Sequence, residues 1–214
     1  PLLFNGIVDS ANQYVVTVAT TSNSGLLLGE FVDDNSVRDM RSGAPLAGPD
    51  VGLTYSFDAY TMQHAAGLAY CEGAICPCSN NPIIGTWVGC ISSLGTGGRL
   101  RASGSQSITA GTLTLQGSQM PNSNALYLAG TANANTVLGD GQFCIGGTIV
   151  RLGTKLNAAG ASQFPDVGQA SIASRVGATA GMTSYFTIWY RNSAAYCTPA
   201  TFNDTNGWRM TWTP

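Results

Sequence analysis

The closing stretch, residues 183–214, constrains the fold most, because two aromatic segments in it alternate with the two-residue period of a β-strand. In the first segment, Phe186, Ile188 and Tyr190 share one face of the predicted strand. The second segment, 208–213 (WRMTWT), puts large apolar side chains on one face and Arg and Thr on the other. We therefore expect two strands, the second with one dry and one wet face, and we expect Trp208 and Trp212 to be core residues.

Similar short β-type segments, separated by turn residues, recur along the chain, and no helical pattern of ten or more residues interrupts them. This spacing predicts an all-β fold, an antiparallel β-sandwich of the jelly-roll kind. We expect an N-terminal arm over residues 1–20 and one sandwich domain over 21–214, with a cysteine-rich loop at 70–98. The predicted strands before the closing pair are 14–20, 26–32, 53–57, 100–103, 112–116, 125–130, 147–152 and 169–174.

The composition restricts the function. Charged residues make up only 9% of the chain and the net charge is −2, without a basic stripe, which argues against a nucleic-acid partner. The longest apolar runs fall short of the roughly 20 residues of a membrane helix, so no membrane span is expected. A surface of hydroxyls and amides, and a first residue, Pro1, that is not Met, predict a processed, secreted protein outside the cell or on its surface.

The chain has six cysteines, an even number that allows three disulfides and fits an oxidising compartment. We expect Cys144 to pair with Cys197, and the four earlier cysteines to pair among themselves. The alternative is a zinc site, but C-P-C is the wrong ligand spacing and His64 is the single histidine. The four earlier cysteines are Cys71, Cys76, Cys78 and Cys90.

No set of catalytic residues stands out, and we expect a protein that is not an enzyme and carries no cofactor. His64 with Asp58 or Asp50 is the one conceivable nucleophile-activating set, and the G-x-S-x-G elbow is missing. Paired carboxylates of the glycosidase type are not indicated either.

Two groups of oxygen ligands are candidates for calcium, although neither has the spacing of an EF-hand. One surrounds Asp140, and turn formation is the competing interpretation for both. The other comprises Asp33, Asp34, Asn35 and Asp39.

Two kinds of carbohydrate contact are suggested. Trp87 and Trp189 are candidates for stacking on sugar rings, as in a secreted carbohydrate-binding module. Asn203 begins an N-x-T sequon in a predicted loop and is the candidate site for an attached glycan.

Several separate blocks of residues 70–214 carry a family resemblance: 70–73 (YCEG), 76–81 (CPCSNN), 99–104 (RLRASG), 120–128, 138–155 (LGDGQFCIGGTIVRLGTK) and the closing stretch. They resemble a cysteine-containing β-sandwich domain of large secreted surface proteins of environmental bacteria. That resemblance implies no catalytic residues. The whole chain also resembles the subunit of an extracellular bacterial filament, with a jelly-roll body and an N-terminal strand that docks into the next subunit.

The N-terminal segment gives the functional prediction: a structural subunit whose first strand inserts into a neighbouring copy, so that copies of the chain are its partners. Such head-to-tail contacts build an open, helical filament. The alternatives are that both apolar segments pair within their own sheet, or that the chain is a carbohydrate-binding module. The residues predicted for the donor strand are Leu2, Leu3, Phe4, Ile7, Val8, Tyr14, Val16 and Val18.

Overall fold

The computed structural model describes residues 4–9, 13–18, 66–194 and 196–214, and the chain divides into two compact units, Pro1–Met62 and Gln63–Pro214. In the first unit, strand β1 (Phe4–Asp9) pairs antiparallel with strand β2 (Gln13–Val18) in a two-stranded sheet. The strands predicted at 26–32 and 53–57 lie outside the described residues. The division into an arm of residues 1–20 and a domain of residues 21–214 stays a prediction.

The second unit is built of strands, with one short helix among its described residues. Most of the strands lie where the alternation predicts them. The elements are β3 (Leu68–Tyr70), β4 (Arg99–Ser103), β5 (Thr114–Ser118), β6 (Asn124–Leu138), β7 (Gly141–Leu156), β8 (Ser162–Phe164), α1 (Ile172–Val176), β9 (Thr183–Arg191), β10 (Phe202–Asp204) and β11 (Gly207–Thr211).

Two antiparallel sheets make up this unit. The larger has six strands in the order β3-β11-β9-β6-β7, with β10 also paired to β9, and the smaller has the order β4-β5-β8. Apolar side chains from both sheets form one buried cluster, in which Leu100 and Leu115 of the smaller sheet join Tyr127 and Ile188 of the larger. The prediction of an all-β antiparallel sandwich is therefore confirmed. The jelly-roll topology and the N-terminal arm stay predictions.

The closing pair of strands has the faces that its alternation predicts. Phe186, Ile188 and Tyr190 of β9 are completely buried. From β11 onward, Trp208, Met210 and Trp212 are buried, whereas the residues between them are exposed. The indole nitrogens are satisfied as well, because Trp208 Nε1 donates to Ala66 O at 2.6 Å and Trp212 Nε1 donates to Ser184 Oγ at 2.9 Å. Both tryptophans are core residues, as predicted.

The strand predicted at 169–174 is wrong, because the chain forms α1 there. Ser171 caps the helix by accepting a hydrogen bond from Ser174 N, and Gly177 ends it with φ 61° in the left-handed region. The capping Ser171 and the terminal Gly177 are local signals for a helical turn, and they outweigh the short alternation of residues 169–174.

Within the described residues, no helix is long and apolar enough to cross a membrane.

Candidate functional site

Three disulfides crosslink the cysteine-rich loop, residues 70–98, and join it to the sandwich. They are Cys71–Cys144, Cys76–Cys90 and Cys78–Cys197. All six cysteines are used, which confirms the disulfides and leaves no thiolate to ligate zinc. This pairing also supports an oxidising, extracellular environment.

The predicted pairing of Cys144 with Cys197 is wrong, and the first four cysteines do not all pair among themselves. Spacing in the sequence measures distance along the chain, whereas a disulfide needs two Cα atoms within about 7 Å. Tertiary packing decides that proximity: the Tyr70 hydroxyl donates to Cys144 O at 2.5 Å, so the end of β3 lies close to Cys144 of β7. The Cys76–Cys90 disulfide crosslinks the loop to itself, and the Cys78–Cys197 disulfide joins it to the segment that follows β9.

Residues 203–206 (NDTN), which have the composition of an exposed turn, are completely buried between this loop and the sandwich. Asn203 Nδ2 donates to Cys90 O at 3.2 Å. Asn206 Oδ1 accepts from Leu100 N at 2.7 Å, and its Nδ2 donates to Leu100 O at 3.2 Å. Its enclosed, hydrogen-bonded amide nitrogen argues against a glycan at Asn203 in the folded chain. The sequon is a local pattern that contains no information about this burial.

The carboxyl group of Asp204 is completely buried, and neither oxygen has a hydrogen-bond partner among the described residues. Gly141 faces it so closely that an added Cβ would lie 3.1 Å from Asp204 Oδ2. Burial raises the pKa of Asp204 well above its usual value, because an ionised carboxylate loses its hydration there. Asp204 is thus enclosed inside the protein, and its raised pKa favours the protonated, neutral form.

Asp140, the predicted calcium ligand in the turn between β6 and β7, forms hydrogen bonds to Thr198 in the segment between β9 and β10. Its Oδ1 accepts hydrogen bonds from Thr198 N at 2.8 Å and from Thr198 Oγ1 at 2.7 Å, next to the Cys78–Cys197 disulfide. No cluster of three or more His, Cys, Asp or Glu side chains occurs in the described part of the chain. The other candidate group, residues 33–39, lies outside the described residues.

The two tryptophans predicted for sugar stacking differ in accessibility. Trp189 is partly buried and lies against Phe202, with ring centroids 5.3 Å apart. Trp87 is 48% exposed and lines a shallow cleft of about 360 Å³ between the cysteine-rich loop and the far end of β6. The cleft also contains Tyr70, Cys71, Glu72, Ala74, Asn133, Ala134, Asn135 and Gln142.

Three residues of this cleft were missed at the level of sequence. Asn133 and Asn135 lie on a part of β6 that extends beyond the predicted strand, which ended at residue 130. Continued alternation in 131–136 (TANANT) was the signal that could have found them. Glu72 gave no local signal, since its role depends on contacts with residues 85–87.

Most of the residues predicted for the donor strand lie in β1 and β2. In the second unit, the larger sheet provides one long edge, β7. Phe4, Ile7 and Val8 lie in β1, and Tyr14, Val16 and Val18 lie in β2, whereas Leu2 and Leu3 lie outside the described residues. Among the described residues, β7 ends the sheet and pairs with β6 alone. Residues 146–151 of this edge are all at least partly exposed.

The candidate catalytic residues His64, Asp58 and Asp50 all lie outside the described residues. Comparisons leave the family open. No protein-family model, curated protein or solved structure matches the chain. The cleft and the sheet edge are therefore interpreted from their own chemistry.

Proposed function

We propose that the chain is a structural subunit of an extracellular assembly, in which an N-terminal strand of one copy adds to the edge of a neighbour's sandwich. The edge strand β7 is the observation that carries this proposal. An edge strand presents unpaired backbone N–H and C=O groups that template another strand. Three disulfides fit a subunit that must remain folded outside the cell.

The lengths of donor and acceptor support the pairing. Residues 146–151 of β7 are six consecutive positions without a buried residue, and β1 and β2 each contain six residues. At the next residue of β7, Arg175 Nη1 donates to Leu152 O at 3.0 Å. The Arg175 side chain therefore already occupies the edge just after residue 151. In the middle of the open stretch Ile149 is 45% exposed, an apolar contact for an added strand.

Two isoleucine variants and a truncation test the proposal. Removal of residues 1–20 should abolish the assemblies seen by electron microscopy, because the donor is gone. Ile149→Lys should weaken assembly, since a charge on the edge opposes strand addition. Ile84→Lys is the matched control, because Ile84 is exposed but lies in the cysteine-rich loop. Assemblies that persist unchanged in both the truncated chain and Ile149→Lys would refute the mechanism.

A further inference from the structure

The backbone conformation of Trp87 and the carboxylate of Glu72 hold this residue at the protein surface. Its φ of 53° lies in the left-handed region, which is an uncommon and strained conformation for a bulky residue. Both oxygens of Glu72 accept from Gly85 N at 3.0 Å, and Glu72 Oε2 also accepts from Trp87 N at 3.1 Å. These bonds fix the backbone of the turn at Trp87, so the exposed indole is attached to an ordered part of the loop.

The opposite wall of the cleft offers free amide groups. Asn133 and Asn135 are both exposed and both line the cleft, two residues apart in a stretch where β6 bulges. Neither amide side chain hydrogen-bonds to another described residue. Each amide supplies one acceptor oxygen and two N–H donors.

Several other polar groups that line the cleft already have hydrogen-bond partners within the protein. The Tyr70 hydroxyl donates to Cys144 O, and burial raises its pKa, so it stays neutral. The Gln142 amide oxygen accepts from Ala74 N at 2.8 Å, and the Glu72 carboxylate accepts backbone N–H groups. The cleft lining contains no Lys or Arg to attract an anion.

We propose that this cleft binds one sugar ring of a neutral saccharide. A pyranose has an apolar C–H face, which suits the exposed face of Trp87, and a rim of hydroxyls, which suits Asn133 and Asn135. A concave surface with an aromatic platform and a few placed polar groups is the usual composition of a small-ligand site. The cleft borders the β7 edge, since Asn133 pairs with Ile145, but all the residues that line it come from one chain. Binding therefore does not require self-association.

Titration of the full chain with neutral oligosaccharides of glucose, galactose, mannose and N-acetylglucosamine tests this site. Calorimetry and tryptophan fluorescence should detect binding of at least one sugar. Trp87→Ala should lower its affinity about tenfold or more, because the stacking surface is removed. Trp87→Phe should retain part of the affinity, and Asn133→Ala with Asn135→Ala should also weaken binding.

The control variant is Ile84→Ala, which removes another exposed apolar side chain from the same loop. It should bind the sugar as tightly as the wild type does. Circular dichroism checks that every variant remains folded. The proposal is overturned if no neutral oligosaccharide binds at millimolar concentration, or if Trp87→Ala binds as well as the wild type. Equal losses in Ile84→Ala and Trp87→Ala would also overturn it, since they indicate a general apolar surface.

Discussion

The buried carboxyl group of Asp204 should make the stability of this protein fall as the pH rises, and Asp204→Asn should remove that dependence. Burial raises the pKa of Asp204 in the folded state well above its value in the unfolded chain. The neutral form therefore stabilises the fold fully below the unfolded pKa, and this contribution is lost as the pH rises toward the folded pKa.

The size of the effect follows from the proton count. Between the pKa of the unfolded Asp, near 3.9, and the raised pKa of the folded state, the unfolded chain has released this proton and the folded protein keeps it. The free energy of unfolding then falls by about 1.4 kcal/mol for each pH unit, as long as the folded protein holds that proton. Asn has a similar shape and does not titrate, so this part of the slope should vanish in the variant.

Urea unfolding at pH 5, 6 and 7, with the disulfides intact, measures this slope. As the pH rises, the free energy of unfolding of the wild type should fall relative to that of Asp204→Asn. This trend is expected whichever of the two is more stable at pH 5. Asp166→Asn is the control, because Asp166 lies at the surface in an ion pair with Lys155 and its replacement should cost about 1 kcal/mol or less. Parallel pH profiles for wild type and Asp204→Asn would refute the reasoning.

Three further predictions concern the fold. Ile188→Ala, at a completely buried position, should cost about 2–5 kcal/mol in urea unfolding, whereas Ile84→Ala, at a position 91% exposed, should change stability by about 0.5 kcal/mol or less. Replacing both Cys78 and Cys197 by Ser should lower stability by about 2–5 kcal/mol and the thermal midpoint with it. Gly89→Ala should lower the thermal midpoint or prevent folding, because its Cβ would clash with the backbone oxygen of Asp204.

The sequence alone determined the fold class and the buried face of the last strand. Alternation along β9 and β11 is a local property, since successive side chains of a strand point to opposite faces. The pattern therefore identified Trp208 and Trp212 as core residues before any partner strand was known, and it separated the two faces of β9 without deciding which one is buried. An even cysteine count likewise indicated disulfides.

Tertiary structure decided which distant segments meet, and local patterns contain no such information. It joined Cys78 to Cys197 and enclosed Asn203 and Asp204, although their neighbours in sequence have the composition of an exposed turn. The raised pKa of Asp204 follows from that enclosure, because desolvation depends on everything packed around the carboxyl group. The cleft at Trp87 likewise exists only because the crosslinked loop lies beside the far end of β6.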